Sequence, residues 1–118
     1  MGRSTYEIFG KDEAFAGLNT VVLSGTTSFD GVKTVTSLQE MLQYLANKGH
    51  SQAFVVGGVS LHNAMIAEGV VDELYINIEP YIAKGLFLGP SDNKLVELEM
   101  IGHKHIGAGI IQIHYRVV

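Results

Sequence analysis

The chain has no cysteine and no tryptophan, only two prolines, and eight lysines and arginines against twelve acidic residues. Without cysteine there are no disulfides and no thiolate metal sites, a usage that fits a cytoplasmic protein. A formal charge of −4 argues against nonspecific nucleic-acid binding, which needs a basic face. No apolar run approaches the roughly eighteen residues of a membrane span. There is no Gly-x-Ser-x-Gly elbow, no Walker loop and no His-Glu-x-x-His helix. What is present is a chain of 118 residues, 47% hydrophobic and 17% charged, with 14 glycines. That length and balance predict a single globular domain over residues 1–118 with its own core.

The pattern along the chain changes halfway. Ser4 to Phe9 reads as a short helix stopped by Gly10, and Asn19 to Ser24 as a β-branched strand. Gly25 to Gly31 reads as a polar turn and Lys33 to Thr36 as a short strand. Ser37 then caps a helix, and Glu40 completes a capping box. Leu38, Met41, Leu42 and Leu45 follow helical spacing, and Gly49 stands where a C-terminal glycine belongs. Ala53 to Val56 is continuously apolar, as in a parallel strand covered on both faces. Ser60 to Glu68 reads as a helix with Leu61, Ala64 and Met65 inward and Gly69 as its stop. From Leu74 onward the period is two. Leu74, Ile76 and Ile78, then Val96, Leu98 and Met100, then Ile111, Ile113, Tyr115 and Val117 alternate with polar residues, as half-buried strands do. Helix-linked strands followed by strands without clear helices predict a mixed α/β sheet.

The residues able to carry chemistry are few. Val56-Gly57-Gly58 ends an apolar run and leads straight into a helix. A helix start presents unpaired N–H groups and a partial positive charge, and two glycines let an anion approach the backbone. Taken alone, the pair reads first as a tight turn and second as a phosphate site. Ser60 can cap the helix or offer its hydroxyl. Arg3 offers a charged fork suited to phosphate, or is a solvated side chain. Thr5 offers a hydroxyl, or Ser4 or Thr5 is an ordinary N-cap. Asp72 and Glu73 are adjacent in a strand, so they point to opposite faces and read as structural. His103, His105 and His114 read as exposed strand or turn histidines, and no metal is assigned.

Three segments carry a resemblance. Met1-Gly2-Arg3-Ser4-Thr5-Tyr6-Glu7, then Phe54-Val55-Val56-Gly57-Gly58-Val59-Ser60-Leu61, then Val71-Asp72-Glu73-Leu74-Tyr75 resemble, in this order and spacing, the dihydrofolate reductase-like superfamily. That superfamily includes the riboflavin-biosynthesis reductase domain. The resemblance implies a mixed, mostly parallel sheet with flanking helices, N-terminally truncated: the family's first two strands and the helix between them have no counterpart here. It implies that Gly57, Gly58, Val59, Ser60 and Leu61 hold a dinucleotide pyrophosphate, with Gly2, Arg3, Ser4 and Thr5 as a second phosphate contact. Ser24 stands where the family places a Ser or Thr beside a basic residue that meets the 2′-phosphate of NADPH. Here Gly25, Thr26 and Thr27 follow, and no basic residue appears until Lys33, so NADPH is the first expectation and NADH is open. His62 and Glu79 are the candidates for the substrate pocket.

Where riboflavin-type reductases often carry a Glu before the glycine pair, this chain has Val56, which points to the broader group. No catalytic residue is assigned. The implied activity is NADPH-dependent reduction of a pterin- or pyrimidine-like substrate. The alternative is a truncated, non-catalytic module for dinucleotide binding or self-association. Loss of central strands leaves unpaired sheet edges, which predicts direct pairing of the remaining strands, a homodimer, or a chain that begins further upstream.

Overall fold

The computed structural model describes residues 1–118. In order the chain forms α1 (Arg3–Phe9), a 3-10 turn (Glu13–Phe15), β1 (Val21–Leu23), β2 (Lys33–Val35), α2 (Leu38–Asn47), α3 (Val59–Ala67), β3 (Glu73–Ile78), β4 (Leu98–His105) and β5 (Ile111–Val117). No helix is long and apolar enough to cross a membrane. Two compact units divide it, Met1–His62 and Asn63–Val118.

In the first unit β1 and β2 pair in parallel, Val21 with Lys33 and Leu23 with Val35. Val21 and Val22 point to opposite sides of β1, and both are buried, so this strand is covered on both faces. Val21, Val35 and Met41 form the core cluster, with Leu23, Tyr44 and Leu45 packed against it. Met41 comes from α2, whose apolar stripe faces the sheet as its spacing predicts. The expected capping box is present in altered form. Ser37 Oγ accepts from the Glu40 amide at 3.1 Å, while Glu40 Oε2 accepts from the Thr36 amide at 2.9 Å, one residue before the cap. At the other end Gly49 has φ +82°, its amide donates to Ala46, and the His50 amide donates to Leu45. That is a Schellman ending, and only glycine adopts this φ without cost. Gly10 is required for a different reason. Its φ is ordinary, but a Cβ there would lie 2.6 Å from the Tyr6 carbonyl oxygen.

The second unit is an antiparallel sheet in the order β3-β5-β4. Residues 106–110 close the β4–β5 hairpin, with Ile106 donating to Ile110. One face carries Leu74, Ile76 and Ile78 opposite Tyr115, Ile113 and Ile111. The other carries Glu73, Tyr75 and Asn77 opposite Arg116, His114 and Gln112. His114 stacks on Tyr75 at 4.1 Å and meets Glu73 Oε2 at 2.8 Å, and Arg116 reaches Glu99 at 3.2 Å.

The mixed α/β character is as expected, but a mostly parallel sheet is not what the strands build. Between strands the parallel pairing is that of β1 with β2, joined by a single parallel bridge from Gly2 to Leu23, and the larger sheet is antiparallel. The difference lies at residues 53–56, read above as a covered strand. They form no strand, and Phe54 and Val56 are exposed. Strands joined by short hairpins can only run antiparallel, whereas parallel ones need a crossover.

Replacing Ser37 with Ala removes the α2 cap and is expected to cost ~1 kcal/mol, read from urea denaturation.

Candidate functional site

The site is built on the first residues of the chain. Met1 and Gly2 run extended beside β1: the Met1 ammonium donates to Val21 at 2.8 Å, and the Leu23 amide donates to Met1 at 3.0 Å. Gly2 forms a parallel bridge with Leu23. On its other side the Gly2 amide donates to the Gly57 carbonyl at 2.7 Å. Gly2 leads into α1, the turn after β2 leads into α2, and Gly58 leads into α3. Helix starts therefore gather at the carboxyl ends of the aligned segments, where α/β sheets bind ligands.

The glycines meet Thr5 there. Gly57 has φ +140°, a region that excludes side chains, and the Gly57–Gly58 peptide is cis. A Cβ on Gly57 would stand 3.3 Å from Thr5 Oγ1, and one on Gly58 would stand 3.4 Å from it. A Cβ on Gly2 would reach the Gly58 nitrogen at 3.5 Å. The two segments singled out in the sequence thus converge on one junction, with the Thr5 hydroxyl against both glycines.

The remaining candidates divide. No side chain caps α1, whose N-cap is Gly2; Ser4 and Thr5 lie inside the helix, so the N-cap reading of either is corrected. Ser60 is likewise the second residue of α3 and cannot be its N-cap. The first internal bond near the start of α3 runs from His62 to Gly58, which leaves the amides of Val59, Ser60 and Leu61 ahead of the ladder. Ser60 is exposed and Leu61 is buried. Arg3 is exposed and pairs loosely with Glu7 at 3.9 Å, a contact worth little.

Ser24 is buried, and its Oγ accepts from the Thr27 amide at 3.0 Å and the Thr26 amide at 3.4 Å. It therefore shapes its own loop. Lys33, the first basic residue after Ser24, begins β2 at the opposite end, with its ammonium 5.3 Å from the Tyr44 ring centre. His62 is half-buried, and its Nε2 lies 3.2 Å from the Val55 carbonyl. Glu79, in the second unit, is exposed just after β3. His103 and His105 pair opposite Ile113 and Ile111, whereas His114 pairs opposite Gly102. Successive β5 residues alternate faces, so the three histidines do not share one.

Two features escaped the sequence reading. Met1 is buried and hydrogen-bonds along β1, and nothing in a methionine at this place signals that. Asn63 clamps the segment after β3, donating to the Phe87 carbonyl at 3.0 Å and accepting from the Gly89 amide at 2.8 Å. A lone helical asparagine carries no motif. A separate open cleft of about 300 Å³ lies at the amino ends of β1 and β2, lined by Tyr6, Asn19, Thr20, Lys33 and Tyr44 among others.

Comparison with known families decides the assignment. The family model described as dihydrofolate reductase matches residues 1–88, which include both halves of the glycine junction. The chain belongs to the dihydrofolate reductase family. No curated protein matches it. Among solved structures it is similar to a riboflavin biosynthesis protein of Shewanella sp. PV-4, with TM-score 0.80 and 23% identity, covering 100% of this chain and 72% of that one. It is also similar to a pyrimidine reductase-like protein of Corynebacterium diphtheriae, with TM-score 0.64, 21% identity and 83% of this chain covered. RibD of Acinetobacter baumannii follows at TM-score 0.61, 12% identity and 83% coverage. The matches span 49% and 36% of those two chains. At such identities the likeness concerns the fold: the dihydrofolate reductase-like architecture is shared.

Gly57→Ala is expected to destabilise this family member by about 1–3 kcal/mol, because alanine cannot hold the φ of Gly57 without strain. Denaturation of the variant checks this; an unchanged midpoint would show that the junction relaxes freely.

Proposed function

We propose that the chain is a cytoplasmic, NADPH-dependent reductase of a pterin- or pyrimidine-like substrate, with NADH as the second cofactor choice. The observation that carries this reading is the convergence of Gly2–Thr5 with Gly57–Gly58 at the carboxyl edge of the first unit. A dinucleotide fits the chemistry of that junction. Gly2, Gly57 and Gly58 present bare backbone, and side chains on the last two would press on Thr5. The amides of Val59, Ser60 and Leu61 supply donors with the positive end of α3 behind them. Thr5 and Ser60 add hydroxyls, Ser4 another, and Arg3 a charge.

The nicotinamide, when bound, supplies the hydride. The protein's share is to fix the phosphates, hold the loop after β1 through Ser24, and orient the reactants. We assign His62 to orientation near the glycine turn, through its contact with Val55. The pterin or pyrimidine character of the substrate is supported by family membership and by the likeness to the riboflavin biosynthesis and pyrimidine reductase-like proteins.

Two measurements test the reading. Saturating NADPH, at about a hundred times its dissociation constant, should stabilise the folded chain by ~2.7 kcal/mol. NADPH absorbance should fall when a pterin- or pyrimidine-like substrate is added. Binding without oxidation would favour the non-catalytic dinucleotide-binding module. Gly58→Val, its folding checked by circular dichroism because the side chain would meet Thr5, should lose the stabilisation by NADPH by crowding the backbone at the junction. Undiminished stabilisation in the folded variant would put the site elsewhere.

A further inference from the structure

The loop that follows β1 is pinned at both ends. At its front the Ser24 hydroxyl accepts from the Thr26 and Thr27 amides. At its back the Phe29 amide donates to Thr34 Oγ1 at 3.3 Å, which ties the loop to β2. Between these anchors residues 25–28 are exposed, whereas Phe29 is half-buried. The Phe29 ring packs on Tyr6, with the ring centres 4.8 Å apart and the planes tilted by 59°. A tilted pair at that separation is a favourable aromatic arrangement.

Tyr6 is itself held. It follows Thr5 in the middle of α1, and a Cβ on Gly10 would run into its ring, so the bare Gly10 backbone gives the ring its seat. The ring contact therefore joins two things. One is α1, which starts at the Gly2–Thr5 segment. The other is the loop that leaves β1 beside Gly2, where Gly2 and Leu23 form their bridge.

The loop has chemistry to offer. Thr26, Thr27 and Ser28 present exposed hydroxyls, with Thr26 Oγ1 and Thr27 Oγ1 3.4 Å apart. Such groups suit the hydroxyls and phosphate oxygens of a ribose. Gly2 has β1 on one side and Gly57 on the other. With the phosphates at the glycine junction and His62 serving the reacting end, the adenosine half of the dinucleotide is left to the β1 side, where this loop begins. An exposed arc that must be ordered at each binding event gives up affinity, whereas an arc ordered beforehand keeps it.

We propose that Tyr6 and Phe29 are positioning residues for the adenosine half of the dinucleotide: their ring contact holds the Ser24–Phe29 loop in place before the ligand arrives. The inference rests on the dinucleotide reading and extends it to a pair of rings outside the glycine junction.

The test compares three ligands: NADPH, adenosine 2′,5′-bisphosphate and reduced nicotinamide mononucleotide. Each is titrated into the full chain and its variants and followed by backbone amide shifts, which report weak binding as well as tight. Phe29→Leu removes the ring and keeps an apolar side chain. It should raise the dissociation constants of NADPH and adenosine 2′,5′-bisphosphate about fivefold and leave that of the nicotinamide mononucleotide unchanged. Tyr6→Leu should do the same. The double variant should lose no more than either single one, because the same contact is missing in all three. Phe29→Tyr keeps a ring and should keep wild-type affinity. Circular dichroism and the urea midpoint check that each variant is folded. If Phe29→Leu leaves NADPH binding unchanged, or weakens all three ligands equally, the inference is overturned while the dinucleotide reading stands. Losses that multiply in the double variant overturn it as well. A folded wild type that binds no NADPH overturns the dinucleotide reading, and this inference with it.

Discussion

The 2.7 Å hydrogen bond from the Gly2 amide to the Gly57 carbonyl is the constraint on which the first unit's functional edge depends. It joins the residues before α1 to those before α3, while the opposite edge of the Met1–Gly2 segment is held by β1. Both helix starts are brought to one place by backbone alone. The approach is close enough that Thr5 would meet a side chain on Gly57 or Gly58. Glycine at these positions therefore serves packing first. In the proposed function the same bareness also serves the phosphates, so stability and the proposed binding share one requirement.

Local chemistry was legible where its signals are local. The capping box at Ser37 and Glu40, the positive-φ endings at Gly49 and Gly69, and the period-two runs of the second half all appear in the fold. The glycine pair and the Gly2–Thr5 segment could be named from sequence, but their contact spans more than fifty residues and has no local mark. Residues 53–56 were misread because a short continuous apolar run states hydrophobicity, not pairing. Phe54 is four-fifths exposed, which the run could not announce. Ser24, a ligand contact by resemblance, also accepts amides two and three residues on, a habit of serine in turns that leaves its O–H as donor and has no mark in the sequence beyond the polar loop.

The second unit follows a different logic. Its order comes from cross-strand pairs on a single sheet: Glu73 with His114, Tyr75 stacked on His114, Asn77 with Gln112, Glu99 with Arg116. Each is exposed or half-buried and contributes modestly. What fixes the register is their sum together with the apolar alternation beneath, and the bulge at Ile101 is the one departure from it. That departure sets which charges of β4 share a face, a property invisible to strict period-two reading.

The most direct test of the central claim, that a dinucleotide binds at the junction of Gly2–Thr5 with Gly57–Leu61, is a titration of the isotopically labelled chain with NADPH, followed by backbone amide resonances. The account predicts saturable shifts concentrated at Gly2, Arg3, Ser4, Thr5, Gly58, Val59, Ser60 and Leu61, with lesser changes in the loop after Ser24. Saturable shifts centred elsewhere, for example around Lys33 and Tyr44, or no shifts in a folded sample, would contradict it.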